Sequence, residues 1–309
     1  MKRKTEKKYS GVIVPMVTPF TKDWKIDSQA VERLVHNFVA NHISPLVLGT
    51  TGECASIHDE DKMDLLRFLA RSFRDKTKIY VVISDNCFRK SVELAKQYFD
   101  FGIELNVALL PNYYPLNRTQ IRKYFEDLAE RIPGKLFIYN IPATTGISIP
   151  LDIIQALSLH EKIVGLKDSE QDLQRLDQSI EMWKDRSDFS HFVGWGAQCL
   201  NGLRKGSDGI VPSTGNFCPS IYWKLYQAAL NEERDQGQEA LDITMEVAAI
   251  YQNGRILSES LTALKLMLQV AGLCGKTVLP PFTDLPEEEE KEVIRKTKET
   301  IEKYKLSWI

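Results

Sequence analysis

Eight short apolar runs, each followed by an amphipathic helical pattern, organise the chain as far as Leu230. The runs are Val12–Val17, Pro45–Leu48, Ile79–Ile83, Leu105–Leu110, Leu136–Tyr139, Ile163–Lys167, Phe189–Val193 and Gly209–Val211. A run such as Ile79–Ile83 is apolar at every position, which is typical of a strand buried on both faces. Strands that alternate with helices form parallel sheets through crossover connections. The pattern therefore predicts a parallel sheet covered by helices.

Two architectures use this alternation, a closed (β/α)₈ barrel and an open doubly wound sheet. An open sheet leaves edge strands, and no Gly-x-Gly-x-x-Gly follows the first run to mark a dinucleotide site. The count of eight units favours the barrel. The predicted fold class is thus α/β, a (β/α)₈ TIM barrel, with the barrel over residues 11–230.

The alternation stops after Leu230, and three helical patterns follow over Asp235–Tyr251, Ser258–Ala271 and Pro286–Lys305. We expect a C-terminal helical extension over residues 231–309, a kind of segment that commonly serves packing or assembly. At the other end, Met1–Tyr9 is locally basic and lacks the apolar segment of a secretory signal. Residues 1–10 are accordingly predicted to form a solvated basic tail.

Composition excludes several classes of function. The chain has 40 Lys and Arg against 42 Asp and Glu among its 309 residues, so its charge gives no basis for binding nucleic acid or an anionic membrane. No apolar stretch approaches the roughly 18 residues of a membrane span. The five cysteines have no Cys-x-x-Cys spacing, and the five histidines have no ligand spacing. We expect reduced thiols, a cytoplasmic location and no metal site.

Lys167 ends the sixth run, at the end of a barrel strand where the reacting groups of such barrels lie. An ammonium in an apolar barrel mouth is poorly solvated, and desolvation favours the neutral amine that attacks a carbonyl carbon. This predicts a Schiff base with a keto acid. The alternative is a lysine paired with Asp168 or Glu170 at a strand end, and position alone does not decide between the two.

Two further strand ends carry polar groups. Gly49-Thr50-Thr51-Gly52 offers hydroxyl and N–H groups that suit a small carboxylate, although a tight turn would use the same glycines. Tyr139 ends the fifth run, and a phenol beside an amine can move protons during imine chemistry. It could equally be a core aromatic with a satisfied hydroxyl. Tyr113, after the fourth run, could equally fill an interface.

Five elements occur together in one order along the chain. They are Thr18-Pro19-Phe20, Gly49-Thr50-Thr51-Gly52-Glu53, Pro111–Tyr113, Tyr139-Asn140-Ile141-Pro142 and Gly165-Leu166-Lys167. Over roughly Gly11 to Leu279 the chain thereby resembles the dihydrodipicolinate synthase / N-acetylneuraminate lyase family of class I, Schiff-base aldolases. The resemblance implies pyruvate and an aldehyde as reactants, neither metal nor organic cofactor, and a homotetramer built as a dimer of dimers.

The resemblance also implies roles for individual residues. Lys167 corresponds to the pyruvate-binding lysine, and Tyr139 to the acid/base that serves it. Thr50 and Thr51 correspond to the pair that holds the keto-acid carboxylate, with Thr50 also relaying protons to Tyr139. Tyr113 corresponds to a tyrosine that, in synthases of the family, reaches a neighbouring subunit's site and completes the relay.

The other expected substrate-binding positions are Gly49, Val211, Thr144 and Ser169. Val211 matches a position whose backbone lies near bound pyruvate. Thr144 stands where synthases of lysine biosynthesis carry an arginine that grips the carboxylate of the aldehyde, and a hydroxyl does not replace a bidentate cation.

A second departure concerns the end of the seventh strand. Gly196 and Ala197 stand where sialic acid lyases carry a sugar-binding acidic pair. The segments 167–169 and 214–217 are more similar to aldolases that act on 2-keto-3-deoxy sugar acids. We therefore expect a pyruvate-dependent aldolase or lyase for such an acid. Dihydrodipicolinate synthase, N-acetylneuraminate lyase and a non-catalytic keto-acid-binding barrel are the alternatives.

Overall fold

The computed structural model describes residues 7–309. Eight parallel strands are paired in chain order, and pairing of the first with the eighth closes the sheet into a barrel. The strands are β1 Gly11–Pro15, β2 Ser44–Val47, β3 Tyr80–Val82, β4 Leu105–Ala108, β5 Lys135–Asn140, β6 Ile163–Asp168, β7 Ser190–Val193 and β8 Gly209–Ile210. The predicted TIM barrel is confirmed, and each predicted apolar run overlaps one of these strands.

Helices cover the outside of the barrel between successive strands. They are α1 Ser28–Ala40, α2 Asp59–Phe73, α3 Phe88–Asp100, α4 Arg118–Arg131, α5 Pro142–Thr145, α6 Leu151–Leu157, α7 Leu173–Trp183, α8 Cys199–Lys205 and α9 Pro219–Leu230. Local capping starts several of them. The Asp27 side chain accepts the Ala30 N–H at 3.0 Å before α1, and Asn117 with Gln120 forms a capping box at α4.

Three helices follow α9. They are α10 Arg234–Gln252, α11 Leu257–Val270 and α12 Glu287–Tyr304, and they match the three C-terminal helical patterns of the sequence. Helix α10 packs against α9, α11 and α12, and α11 also packs against α12. The first turn of α12 holds Glu287–Glu290, whose charges complement the positive end of that helix.

The barrel has two cores, one inside the sheet and one between the sheet and the helices. The inner core is rich in aromatic rings, and glycines on the strands make room for them. A Cβ at Gly165 would lie 2.5 Å from Phe137, and one at Gly209 would lie 2.4 Å from Phe192. The barrel interior is therefore a packed core and not a pore.

The predicted solvated tail is wrong for Lys7 and Tyr9. The side chain of Lys7 is 1% exposed, and its ammonium donates hydrogen bonds to the carbonyl oxygens of Trp183 at 2.8 Å and Phe189 at 2.9 Å. It also forms an ion pair with Asp208 at 3.3 Å. The amino-terminal end of the barrel supplies these acceptors, so a basic side chain is buried there.

Tyr9 enters the inner core at the same end. It is 5% exposed, and its ring meets that of Phe137 edge-on with 5.2 Å between the ring centroids. The remainder of the predicted tail up to residue 6 lies outside the described residues. From Lys7 onward, no helix of the structure has the length and the hydropathy that crossing a membrane requires.

Candidate active site

Lys167 points into the barrel from the carboxyl-terminal half of β6. Successive side chains of a strand alternate between faces, so Lys167 shares the inner face with Gly165 while Asp168 faces the helices. Lys167 is 6% exposed. Below it lies a cavity of about 10 Å³, enough for about one water molecule, lined also by Phe137, Phe192 and other inner-core side chains. A substrate must therefore reach Lys167 from the carboxyl-terminal mouth.

The Lys167 ammonium lies over the ring of Tyr139. The two residues are partners in the β5–β6 ladder, and the nitrogen is 3.7 Å from the ring centroid. This is a close cation–π contact. Within residues 7–309, Lys167 forms no ion pair and its ammonium donates no hydrogen bond. A buried lysine is normally paired, so this environment is exceptional.

The carboxylates that follow Lys167 in the sequence are engaged elsewhere. Arg175 of α7 lies 2.7 Å from the Asp168 carboxylate and 3.3 Å from that of Glu170. The Asn140 amide donates to Asp168 at 2.8 Å and to Glu170 at 2.9 Å. The alternative of a strand-end ion pair between Lys167 and these acids is therefore not what the structure contains.

Three hydroxyl groups at this end of the barrel keep their hydrogen-bonding capacity. The side-chain oxygens of Tyr139, Thr50 and Thr51 form no hydrogen bond to the described residues, and none is a fully enclosed atom. Tyr139 is 3% exposed and Thr51 is 8% exposed. These accessible hydroxyls lie at the end of the barrel that holds Lys167, so they are available to a polar ligand that binds there.

Thr50 and Thr51 belong to a 3-10 turn, Thr50–Gly52, that follows β2. The Thr18 hydroxyl donates to the Gly52 carbonyl oxygen at 2.8 Å, and a Cβ at Gly52 would lie 3.0 Å from the Met16 carbonyl oxygen. A side chain at position 52 would thus be tightly packed against the backbone of residue 16. The first N–H groups of such a turn have no partner inside it. A tight turn and a carboxylate site are therefore compatible.

The structure brings Val211 to the amine but leaves Tyr113 outside. Val211 is 4% exposed and lines the same small cavity as Lys167. Tyr113 is 75% exposed, and its ring packs edge-on against Tyr114 with 4.9 Å between the centroids. In a single chain, Tyr113 is therefore not packed among the side chains that surround Lys167.

Gly49 lies just before the 3-10 turn, and Thr144 lies in the short helix α5. Gly49 precedes the 3-10 turn in an extended conformation, and a Cβ there would only touch Val82 at 3.7 Å. The half-buried Thr144 lies in α5, and its hydroxyl donates to the Ile141 carbonyl oxygen at 3.4 Å. Thr144 thus brings no cation to the mouth of the barrel.

Ser169 lines a second cavity, of about 240 Å³, between the ends of β6, β7 and β8 and helix α10. Its other polar side chains include Gln171, Ser213 and Gln252, and none of the lining residues within 7–309 carries a formal charge. A Cβ at Gly194 would lie 2.1 Å from the Ser169 hydroxyl, so the glycine makes room for that serine. The cavity is polar and neutral.

Sequence reasoning missed the residues that hold the mouth together. The Asn216 side chain is fully buried, accepts the Val17 N–H at 3.0 Å and donates to the Pro15 carbonyl oxygen at 2.9 Å. It thereby ties the 3-10 turn after β8, Ser213–Asn216, to β1 and the residues that follow it. Tyr251 of α10 binds the hydroxyls of Ser213 and Thr214 at 2.9 and 2.8 Å. Both residues act on segments far away in the sequence, which no local pattern reveals.

The buried histidine of the barrel is a structural residue. His191 of β7 lies 3.0 Å from the Ser179 hydroxyl and 3.0 Å from that of Ser207. Burial lowers its pKa from 6.5 to about 3, so it stays neutral. In the part of the chain described, no three His, Cys, Asp or Glu side chains are grouped to hold a metal ion.

The chain matches the model of the Dihydrodipicolinate synthetase family over residues 8–300. An "Uncharacterized DapA-like lyase" of Thermococcus onnurineus is 32% identical over 293 residues, which are 93% of this chain and 97% of that protein. A protein of Thermococcus kodakarensis with the same description is 33% identical over 291 residues, 91% of this chain and 96% of its own length.

Solved structures agree in fold. The dihydrodipicolinate synthase of Bacteroides thetaiotaomicron superposes with a TM-score of 0.90 at 28% identity, covering 96% of this chain and 100% of its own. A prophage protein of the dihydrodipicolinic acid synthase family from E. coli K12, solved in complex with pyruvate, gives 0.88 at 22% identity, covering 95% and 99%.

The fold and the comparisons together identify the chain as a class I aldolase-like lyase. More particularly, the chain belongs to the Dihydrodipicolinate synthetase family. The family resemblance read from the five sequence elements is thereby confirmed, and so is the expectation of a lyase.

Proposed function

We propose that this lyase forms or cleaves a carbon–carbon bond of a keto acid through an imine between Lys167 and pyruvate. The observation that carries the proposal is the buried Lys167 ammonium without an ion-pair partner among the described residues, 3.7 Å from the centre of the Tyr139 ring. Such an amine is available to a keto acid, because no carboxylate of the described residues is bound to it.

In the cleavage direction, the amine of Lys167 attacks the C2 carbonyl of the keto acid, and water leaves to give the imine. Tyr139 accepts the proton of the C4 hydroxyl as the C3–C4 bond breaks. The electron pair of that bond moves into the imine, which leaves an enamine of pyruvate and releases an aldehyde. Protonation of the enamine carbon and hydrolysis of the imine then release pyruvate and restore the amine.

The 3-10 turn supplies the remaining contacts of the proposed site. Thr50 and Thr51 bind the carboxylate of the keto acid with their open hydroxyls, and Thr50 also relays protons to Tyr139. The backbones of Gly49 and Val211 line the pyruvate position. We propose a homotetramer in which Tyr113 of one copy reaches the site of another, which its 75% exposure in the single chain supports.

The neutral cavity of about 240 Å³ beside the mouth favours a substrate whose distal part is an uncharged polyol. Ser169 is one of its hydroxyl-bearing side chains. A 2-keto-3-deoxy sugar acid meets this description, since its carboxylate binds the turn and its hydroxyls occupy the cavity. The hydroxyl of Thr144 gives no bidentate grip on a second carboxylate.

Release of pyruvate from a panel of 2-keto-3-deoxy sugar acids tests this function. We expect turnover of at least one member, and little product from pyruvate with aspartate semialdehyde. Preferred turnover of aspartate semialdehyde would instead identify a dihydrodipicolinate synthase, the activity of the Bacteroides relative at 28% identity. Pyruvate binding without imine formation or turnover of any aldehyde would identify a non-catalytic keto-acid-binding barrel.

A further inference from the structure

Glu53 ends the 3-10 turn that carries Thr50 and Thr51. Its backbone is left-handed, with φ 56° and ψ 32°, which is uncommon for a residue other than glycine. Its side chain is 1% exposed. Strained backbone of this kind persists where the surroundings hold it in place.

The surroundings that hold Glu53 come from the C-terminal helices. One carboxylate oxygen lies 2.5 Å from the Lys265 ammonium of α11, and the other accepts the Leu279 N–H at 2.8 Å. Lys265 also donates to the Thr277 carbonyl oxygen at 2.8 Å and lies 4.1 Å from the centroid of the Phe20 ring. The turn is therefore tethered to α11 and to the chain that follows it.

The net contribution of a buried ion pair of this kind to stability is small. Its side chains are each 1% exposed, and the desolvation of two charges offsets much of their attraction. Burial lowers the pKa of Lys265, and the Glu53 carboxylate opposes that shift. What distinguishes this pair from the equally buried Lys7–Asp208 pair is the segment that it holds, the turn that carries Thr50 and Thr51.

We infer that Glu53 is a positioning residue for Thr50 and Thr51, and that its ion pair with Lys265 couples α11 to the carboxylate-binding turn. The inference rests on the proposed function, because it concerns the same turn. Thr18 holds Gly52 from the barrel side, and Lys265 holds Glu53 from the helical side. The pair keeps the two hydroxyls in the geometry that a carboxylate needs before the ligand arrives.

Loss of the pair then has a specific effect. The turn must be ordered when the ligand binds, so pyruvate binding weakens. The imine chemistry itself is unchanged, because Lys167 and Tyr139 stand on β6 and β5 and do not touch the pair. A purely structural pair would lower stability and leave the affinity of folded protein for pyruvate as it was.

The test compares two double variants, each of which leaves no unpaired buried charge. In Glu53→Gln/Lys265→Met we expect the pyruvate concentration for half-maximal borohydride-trapped adduct to rise about 10- to 100-fold. The yield at saturating pyruvate stays within about twofold of the wild type. Lys7→Met/Asp208→Asn is the matched control, because its ion pair is equally buried at the opposite end of the barrel. It should leave half-saturation unchanged.

A folded Glu53→Gln/Lys265→Met protein with wild-type half-saturation overturns the inference, and so does an equal rise in the control. If that variant does not fold, Glu53→Gln alone is measured in the same way, because it keeps an acceptor for the Leu279 N–H. Calorimetric titration with pyruvate separates this inference from the proposed function. Wild-type protein that binds pyruvate without an adduct contradicts the imine, whereas unchanged pyruvate affinity in the variant contradicts the positioning.

Discussion

At the amino-terminal end of the barrel, the Lys7 ammonium donates to two carbonyl oxygens at 2.8 and 2.9 Å and forms an ion pair at 3.3 Å. At the carboxyl-terminal end, the Lys167 ammonium has neither hydrogen bond nor ion pair within residues 7–309 and lies over the Tyr139 ring. Both side chains are buried in one small barrel. The two lysines differ in the groups that contact their ammonium nitrogens.

We interpret Lys7 as a lysine that stabilises the fold and Lys167 as a lysine that reacts. Burying a charge is costly unless it is paired, and the amino-terminal end obeys that rule. The carboxyl-terminal end departs from it at Lys167, and the hydroxyls of Tyr139, Thr50 and Thr51 at that end have no hydrogen-bond partner among residues 7–309. Variants at both ends therefore test whether chemistry and stability are divided in this way.

The largest effect is expected for Lys167→Met. Without the amine no imine forms, so turnover should fall by about 10⁴-fold or more while the chain still folds, because methionine fills a similar volume. The check is the rate of pyruvate release together with a thermal melt. Activity above about one-hundredth of the wild type in folded protein would contradict the assignment.

Tyr139→Phe should come next. The ring under the Lys167 ammonium remains, but the proton acceptor is lost, so turnover should fall by about 10²–10⁴-fold. Trapping of pyruvate by borohydride in the same variant gives the extent of imine formation separately from turnover. A variant that cleaves substrate at the wild-type rate would remove Tyr139 from the mechanism.

Thr51→Val should weaken binding more than turnover. Loss of a hydrogen bond to a charged carboxylate predicts a rise in the KM for the keto acid of about 10- to 100-fold. Thr145→Val is a matched control, because the Thr145 hydroxyl already donates to the Ile141 carbonyl oxygen at 3.0 Å. Equal changes in KM for the two variants would exclude a specific contact to the ligand.

Lys7→Met should lower stability without changing catalysis. Two buried carbonyl groups lose their donor and the buried Asp208 carboxylate loses its ion pair with Lys7, so the free energy of unfolding should fall by about 3–5 kcal/mol. Denaturant titration measures this loss, and the turnover number per folded molecule should be that of the wild type. A tenfold loss of turnover would mean that the two ends are not independent.

The smallest effect concerns His191, whose partner Ser207 precedes β8 at the amino-terminal end. Its pKa falls from 6.5 to about 3 on burial, so between these values the unfolded chain binds one more proton than the folded one. Its contribution to stability is complete above pH 6.5 and declines as the pH falls toward 3. From pH 6 to 5 the wild type should lose about 1 kcal/mol more than His191→Asn. If the free energies of unfolding of the two proteins changed in parallel with pH, the lowered pKa of His191 would be contradicted.

The fold could be predicted because its determinants are local. The run Leu136–Tyr139 lies within strand β5, and the run Ile163–Lys167 lies within β6, since an apolar segment of a few residues is itself what a strand of a covered barrel requires. Lys167, Tyr139, Thr50 and Thr51 could be proposed as site residues because strand ends are where such barrels carry chemistry.

The tethers of the site could not be predicted in this way. The bond from Leu279 to Glu53 spans 226 positions, and that from Val17 to Asn216 spans 199. The burial of Lys7 could not be predicted, because a basic residue near the start of a chain is usually solvated. Its hydrogen-bond acceptors lie 176 and 182 positions away. Local patterns contain no information on which distant groups meet.

The imine at Lys167 is best tested by reduction of a mixture of protein and pyruvate with borohydride, followed by mass mapping of the peptides. Lys167 and Lys265 can be compared directly, since both are buried at the carboxyl-terminal end but, within the described part of the chain, only Lys265 is ion-paired. We expect the pyruvate-derived mass on Lys167 and none on Lys265. An adduct on another lysine, or none in folded protein, would contradict the account.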